Sequence, residues 1–272
     1  MPPIAVAFRF LRWHKYRRGA LGENMAFVGE FEIDIISALS SQLVDTLEQL
    51  EKGPLDLVSE PEVVESRQGV YQLFQGTRLV YVGKADNLKK RLTEHRTKIA
   101  GRRNITTQEM SFRCLYIHKN WTTLAPETAL IKHYQGEGLS EWNGNGFGPH
   151  DPGRNREQTD KAPDGFDVQY PIRDDWRMDS IEAGEWNARE LLIEMKRELP
   201  YLLRFQAVNR NAYQRGHPAY NDLRISVPRS GMPACELLAL IAHSIPGAQG
   251  TIFPSHMILY LENHQYTYGT SV

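Results

Sequence analysis

Apolar residues between positions 31 and 51 recur at spacings of three and four, at Ile36, Leu39, Leu43, Leu47 and Leu50. They predict one amphipathic helix, stopped by Gly53-Pro54. Residues 69–75 (GVYQLFQ) and 78–84 (RLVYVGK) are apolar runs on either side of Gly76-Thr77 and predict a β-hairpin. Asp86 then reads as the N-cap of a helix from Leu88 to Ile99, ended by Gly101. Ser111–Ile117 (SFRCLYI) reads as a strand, and Pro126 takes the first-turn position of a helix reaching about Gln135. The order is β-β-α-β-α. Residues 143–165 hold eight Gly or Pro, in a connection longer than the roughly 12 to 15 residues that structureless loops usually reach; such segments are functional or disordered. Glu185–Leu203 and Cys235–Ser244 read as helices, and Thr251–Leu261 with Gln265–Thr270 as a terminal hairpin. The pattern predicts an α+β chain with a basic extension at 1–29, an acidic helical arm at 30–66, a core at 67–155 and a C-terminal α/β extension at 156–272. That extension could complete a dimer, wrap a partner or pack on the core.

Composition adds little, but charge changes the picture. Hydrophobic content of 41% and charged content of 24% are ordinary for a soluble globular chain, and no apolar run approaches the roughly 18 residues of a membrane helix. At the N-terminus the charges follow a short apolar run, the reverse of a secretory signal, so the cytoplasm is the expected compartment. Residues 1–24 carry five basic side chains and Trp13 ahead of Met25. They form either a basic arm for a phosphate backbone or an extension upstream of the natural start. Cys114 and Cys235 match neither a disulfide framework nor zinc spacing and read as plain thiols. The net charge of -1 hides a segregation: residues 30–66 carry -9 and residues 67–119 carry +9. A solvated face explains one basic helix. Over a whole basic segment beside an acidic arm, a footprint for a polyanion explains it equally well.

At about 100° per residue, Leu88, Leu92, His95 and Ile99 share one stripe of their helix, with Arg91 at its edge. Alone, an inward histidine is more often a hydrogen-bonded structural residue than a catalyst. Its surroundings alter that. Gly69-Val70-Tyr71 and Tyr81-Val82-Gly83, followed by Arg91, His95, Glu127 and Asn143 in order, resemble the motifs of the GIY-YIG nucleases. The resemblance implies a three-stranded antiparallel sheet flanked by helices over about residues 67–155. Asn145 is the alternative to Asn143, because GEGLSE lengthens the gap after Glu127. The segment GFGPHDPGRNR is similar to the glycine-rich stretch of a type II restriction endonuclease branch that cuts palindromes made only of G and C.

The resemblance implies a phosphodiesterase site. Glu127 would hold one Mg²⁺, with Mn²⁺ able to substitute, since a single carboxylate suits an ion that keeps most of its waters. Arg91 would clamp a phosphate oxygen through its planar fork. Tyr71 is the candidate general base, helped by Lys84, Arg91 and the metal; His95 would relay its proton or hydrogen-bond it. Tyr81 would position water or phosphate, and Asn143 would orient Glu127 or its neighbours. Lys84, Lys89, Lys90, Arg96, His150, Arg154, Asn155 and Arg156 are candidate DNA contacts. The implied partners are double-stranded DNA, a second copy in a homodimer and a cognate DNA methyltransferase; no membrane is implied. Two other readings fit the same residues: a repair or mobile-element nuclease sharing the core, and a DNA-binding module that does not cut. Without the resemblance, Tyr71 and Tyr81 read as a cross-strand aromatic pair and Glu127 as a surface residue.

Hairpin register supplies an independent expectation, because residues facing each other across antiparallel strands share a face. A regular two-residue turn at Gly76-Thr77 pairs Gln75 with Arg78 and sends Tyr71 and Tyr81 to opposite faces. A three-residue turn at 75–77 sets them opposite each other. The site therefore requires an odd loop or a bulge near Gly76.

Overall fold

The computed structural model describes residues 35–118, 126–136, 138–148, 157–158, 165–208 and 216–272, with side chains from residue 41 onward except those of 126–129 and 132. Helix α1 (Ile35–Glu48) leads to β1 (Gly53–Pro54), the hairpin strands β2 (Gly69–Gln75) and β3 (Arg78–Ala85), helix α2 (Leu88–Ala100), β4 (Met110–Tyr116) and α3 (Pro126–Gly136). The antiparallel sheet has the order β1-β4-β2-β3. It contains the expected three strands plus β1, in which Gly53 and Pro54 pair with Phe112 and Ser111. The residues that stop α1 thus start an edge strand, where a proline is tolerated.

Each face of this sheet has its own core. On one side α1 brings Leu43, Val44 and Leu47, and α3 brings Leu130 and Tyr134, against Val70, Phe74, Leu79 and Val82. The acidic arm is therefore built into the domain through α1. On the other side Leu88, Leu92 and Ile99 of α2 pack on Tyr71, Leu73, Tyr81 and Phe112, together with Trp142, Phe147, Phe166 and Tyr170.

The C-terminal part departs from expectation in detail. The stretch 185–203 is not one helix but β5 (Gly184–Asn187), α5 (Ala188–Glu198) and β6 (Leu202–Phe205), preceded by the short helix α4 (Phe166–Gln169). Asn187 caps α5, accepting from the Arg189 and Glu190 amides, and so ends the extended backbone before it. After β7 (Arg224–Val227), α6 (Ala234–Ser244) forms as predicted. The terminal hairpin is β8 (Gln249–Ile252) with β9 (His256–Tyr260), because Phe253-Pro254-Ser255 interrupts the predicted first strand; β10 (Thr270–Ser271) pairs with β8 instead. Strand β9 also runs parallel to β6, and α5 and α6 supply much of one large core here.

The two parts are joined at the end of α2. A Cβ on Gly101 would lie 2.4 Å from Pro200 Cγ, so close approach, not left-handed backbone, selects glycine here. Arg102, buried, meets the buried Asp167 at 2.9 Å and donates to the carbonyls of Tyr170 (3.1 Å) and Pro254 (3.2 Å). Farther out, Glu157 is sunk against the C-terminal sheet. It pairs with Arg204, accepts from the Tyr260 hydroxyl at 3.2 Å and lies 3.3 Å from His256 Nε2. Arg102→Ala is expected to cost about 3 to 5 kcal/mol, because it leaves Asp167 buried without its countercharge. Urea unfolding of the variant and of Arg102→Leu/Asp167→Leu, which should recover most of the loss, is the check.

Candidate active site

Asn87, not Asp86, caps α2: its Oδ1 accepts from the Lys90 amide at 2.9 Å, and Asp86 is exposed. The inward stripe is as predicted, with Leu88, Leu92, His95 and Ile99 all buried and the Arg91 side chain 20% exposed at its edge.

The hairpin turns through two residues, Gly76 (φ +59°) and Thr77, with Gln75 opposite Arg78. Pairing then slips between Leu73 and Phe74: Phe74 faces Leu79, but Leu73 faces Tyr81 and Tyr71 faces Gly83. Val80 is the extra residue of this bulge. The bulge, not a three-residue turn, brings the tyrosines to one face, diagonally placed with ring centroids 6.0 Å apart. A Cβ on Gly83 would sit 2.5 Å from the Tyr71 hydroxyl oxygen and 2.8 Å from the Tyr81 ring; one on Gly69 would sit 2.2 Å from the Leu115 carbonyl oxygen. Both glycines are therefore required by the space above them.

The Tyr71 hydroxyl lies 2.7 Å from His95 Nε2, and both side chains are buried. Burial, then the neighbouring Tyr81, pushes the Tyr71 phenol above its usual range against the opposing pull of Arg91. Burial, then the charges of Arg91 and Lys98, holds the His95 imidazole well below its usual value. In the neutral tautomer with the ring proton on Nδ1, the hydroxyl donates to Nε2. Arg91 lies near enough for its charge to act on the Tyr71 phenol, and it pairs with the half-exposed Glu94 at 3.0 Å.

Asn143 hydrogen-bonds the backbone of β3. Its Oδ1 accepts from the Val82 amide at 2.9 Å and its Nδ2 donates to the Val82 carbonyl at 2.8 Å. Ser140 and Trp142 add amide bonds to the carbonyls of Leu79 and Val80. Segment 140–143 thus covers the outer backbone of edge strand β3. Asn145 donates instead to the Glu141 carbonyl, which favours Asn143 for the family position. Glu127 lies in the first turn of α3, with its side chain outside the described residues.

The candidate DNA contacts separate by geometry. Lys84 pairs with Val70 and so shares the α1/α3 face, opposite Tyr71; it is not among the charges that act on the phenol. Lys89 donates to the carbonyls of Glu60 and Pro61, and Arg96 pairs with Asp56 at 2.8 Å. The acidic segment thus covers part of the basic helix. Lys90 is exposed. His150, Arg154, Asn155 and Arg156 lie outside the described residues.

Phe147 and Lys98 escaped the sequence reading. Phe147 stacks on His95, and Lys98 donates to the Gly146 and Phe147 carbonyls. A lone aromatic inside a glycine-rich loop was the available signal. The motif tyrosines, Arg91 and His95 thus converge on one sheet face under a covering loop.

Residues 69–178 match the family model of the Eco29kI GIY-YIG domain. No curated protein matches the chain. The match supports a restriction-type DNA endonuclease, and it begins at Gly69 on β2 and runs past the Arg102–Asp167 junction. Among the described residues no helix is long and apolar enough to cross a membrane. Both cysteines are free thiols, and burial raises the Cys114 thiol to about 11.

Within the matched segment Gly83→Ala is the sharpest structural test. It is expected to displace the Tyr71 ring, destabilise the fold by about 1 to 3 kcal/mol and suppress nuclease activity. Thermal unfolding together with a DNA cleavage assay would show this.

Proposed function

We propose that this protein is a Mg²⁺-dependent type II restriction endonuclease that hydrolyses both strands of DNA at a short palindromic site made of G and C. The observation that carries the reading is the Tyr71–His95 hydrogen bond at 2.7 Å beside Arg91 in a domain matched to the Eco29kI GIY-YIG family.

A buried phenol held above its usual range is a poor base by itself. The neutral imidazole supplies the missing basicity: Tyr71 takes a proton from the attacking water as it passes its own to His95 Nε2. The hydroxide forms its bond to phosphorus as the phosphorus–oxygen bond of the leaving group breaks, and the departing oxygen takes a proton from solvent. Arg91 holds a non-bridging oxygen through its fork, and Tyr81, on the same face, orients the water or the phosphate. Asn143 acts as a positioning residue through the Val82 backbone. Among the described residues no group of three or more His, Cys, Asp or Glu could hold a metal. A single carboxylate from Glu127 is compatible with Mg²⁺, which keeps its waters and takes substrate oxygens. When bound, Mg²⁺ or Mn²⁺ would neutralise charge growing on the phosphoryl group. One core offers one such site, so cutting a palindrome on both strands calls for a two-fold homodimer, with a cognate methyltransferase protecting the host sites.

Plasmid DNA should be cut into discrete fragments only with Mg²⁺ or Mn²⁺ present. Random degradation, or a Glu127→Ala variant with unaltered metal dependence, would refute the assignment. Arg91→Lys should lower the single-turnover rate by about 10² to 10³-fold, the scale of losing one transition-state donor. Protonated His95 cannot accept, so activity should be lost only as pH falls through its depressed value. The acid limb of the rate profile is therefore expected below the ordinary imidazole value of about 6.5. The same depression makes the folded state lose stability as pH drops below about 6.5, since the unfolded chain then binds the extra proton.

A further inference from the structure

The glycine-rich loop reaches the reacting pair through one side chain. The Phe147 ring lies nearly parallel to the His95 imidazole, with centroids 4.7 Å apart and planes at 16°, and meets Tyr81 edge-on at 5.0 Å. Trp142 and Phe166 pack on its other sides at 4.8 Å each. Its backbone is fastened from the helix that carries His95: Lys98, one turn along, donates to the carbonyls of Phe147 at 2.8 Å and Gly146 at 3.2 Å. Gly146 has φ +89°, and a Cβ there would come within 3.3 Å of the Asp167 carboxylate, so the loop is threaded through a place that favours glycine. His95 thus has a flat aromatic wall on one side and the Tyr71 hydroxyl at its Nε2.

We propose that Phe147, held by Lys98, is a positioning residue for DNA cleavage: its ring fixes the plane of the His95 imidazole so that Nε2 meets the Tyr71 hydroxyl, and it keeps water from the imidazole. This rests on the nuclease reading above. An imidazole free to tilt about its χ2 would swing Nε2 off the hydroxyl, and misplacement by about 1 Å in a reacting constellation can cost about 10²-fold. The titratable and charged groups around His95 are Tyr71 from β2, Tyr81 from β3, and Arg91 and Lys98 from α2. Residues 144–148 add none. Water admitted on the Phe147 side would relieve the burial that, with Arg91 and Lys98, holds His95 neutral.

The test uses the full chain with Phe147→Ala and Phe147→Leu. The His95 imidazole is titrated by NMR in histidine-labelled protein without DNA, its signal assigned with His95→Gln. Single-turnover cleavage is followed against pH, and DNA binding is measured by Kd. Phe147→Ala should move the His95 titration and the acid limb together toward the ordinary value of about 6.5. It should also slow cleavage at the optimum by about 10 to 100-fold with Kd unchanged. Phe147→Leu retains an apolar cover without a flat ring, so it should slow cleavage while leaving the acid limb in place. A loss of folded protein alone would scale the rate at every pH and shift neither curve. Unmoved titration and limb in Phe147→Ala, or an unaltered rate in Phe147→Leu where the alanine variant does not fold, overturns the proposal. Should the wild-type chain not cut DNA, the NMR titration still reads the cover on His95, so that failure belongs to the nuclease reading.

Discussion

A slip of one residue in strand pairing decides what the site is. Because side chains alternate along a strand, the extra Val80 reverses the parity of everything before the turn relative to everything after it. Without it Tyr71, whose face is also set by unbroken pairing with β4, and Tyr81 would lie on opposite faces, and Tyr81 could not meet His95. With it the two rings sit diagonally on the α2 face, and Gly83 opposite Tyr71 leaves the room they need. The bulge is supported from outside the sheet: the carbonyls of Leu79 and Val80 and both backbone groups of Val82 bind segment 140–143. The motif glycine, the bulge and Asn143 therefore serve a single geometric requirement.

Charge tells a more internal story than its distribution along the chain suggests. Several of the basic residues between 67 and 119 have carboxylate partners within the fold: Arg67 with Glu65, Arg78 with Glu141, Arg91 with Glu94, Arg96 with Asp56, Arg102 with Asp167 and Arg103 with Asp174. Exposed pairs of this kind contribute little stability each, but they lower the field that a polyanion would meet. The basic charge of this segment is thus answered in part within the fold, and Arg91 has a partner, Glu94, that is itself half-exposed.

The parts of the fold that were legible are those with long periodic signals. The spacing of Leu88, Leu92, His95 and Ile99 placed His95 inside, and the parity of Tyr71 and Tyr81 demanded an irregular hairpin. Which residue would be unpaired was not legible, because Val80 and Val82 are alike in an apolar run. Asn87 outcompeted Asp86 as the cap, a one-residue choice that propensity does not resolve. In the C-terminal half, four-residue strands flank α5, and Leu199, Leu202 and Leu203 stay in step with its apolar stripe although Pro200 ends the helix. The contacts of Lys98 and Phe147 arise from a loop folding back over α2, which no local pattern encodes.

Both margins of the sheet β1-β4-β2-β3 are partly occupied. At one side the outer backbone of β3 is taken by Ser140, Trp142 and Asn143. At the other, β1 is two residues long and one is Pro54, which has no amide to donate. An added strand would therefore find the backbone of β3 taken and, beside β1, only part of β4 to pair with. The geometry of Tyr71 and His95 is thus set within one chain, by its own strand pairing and the segment that seals β3.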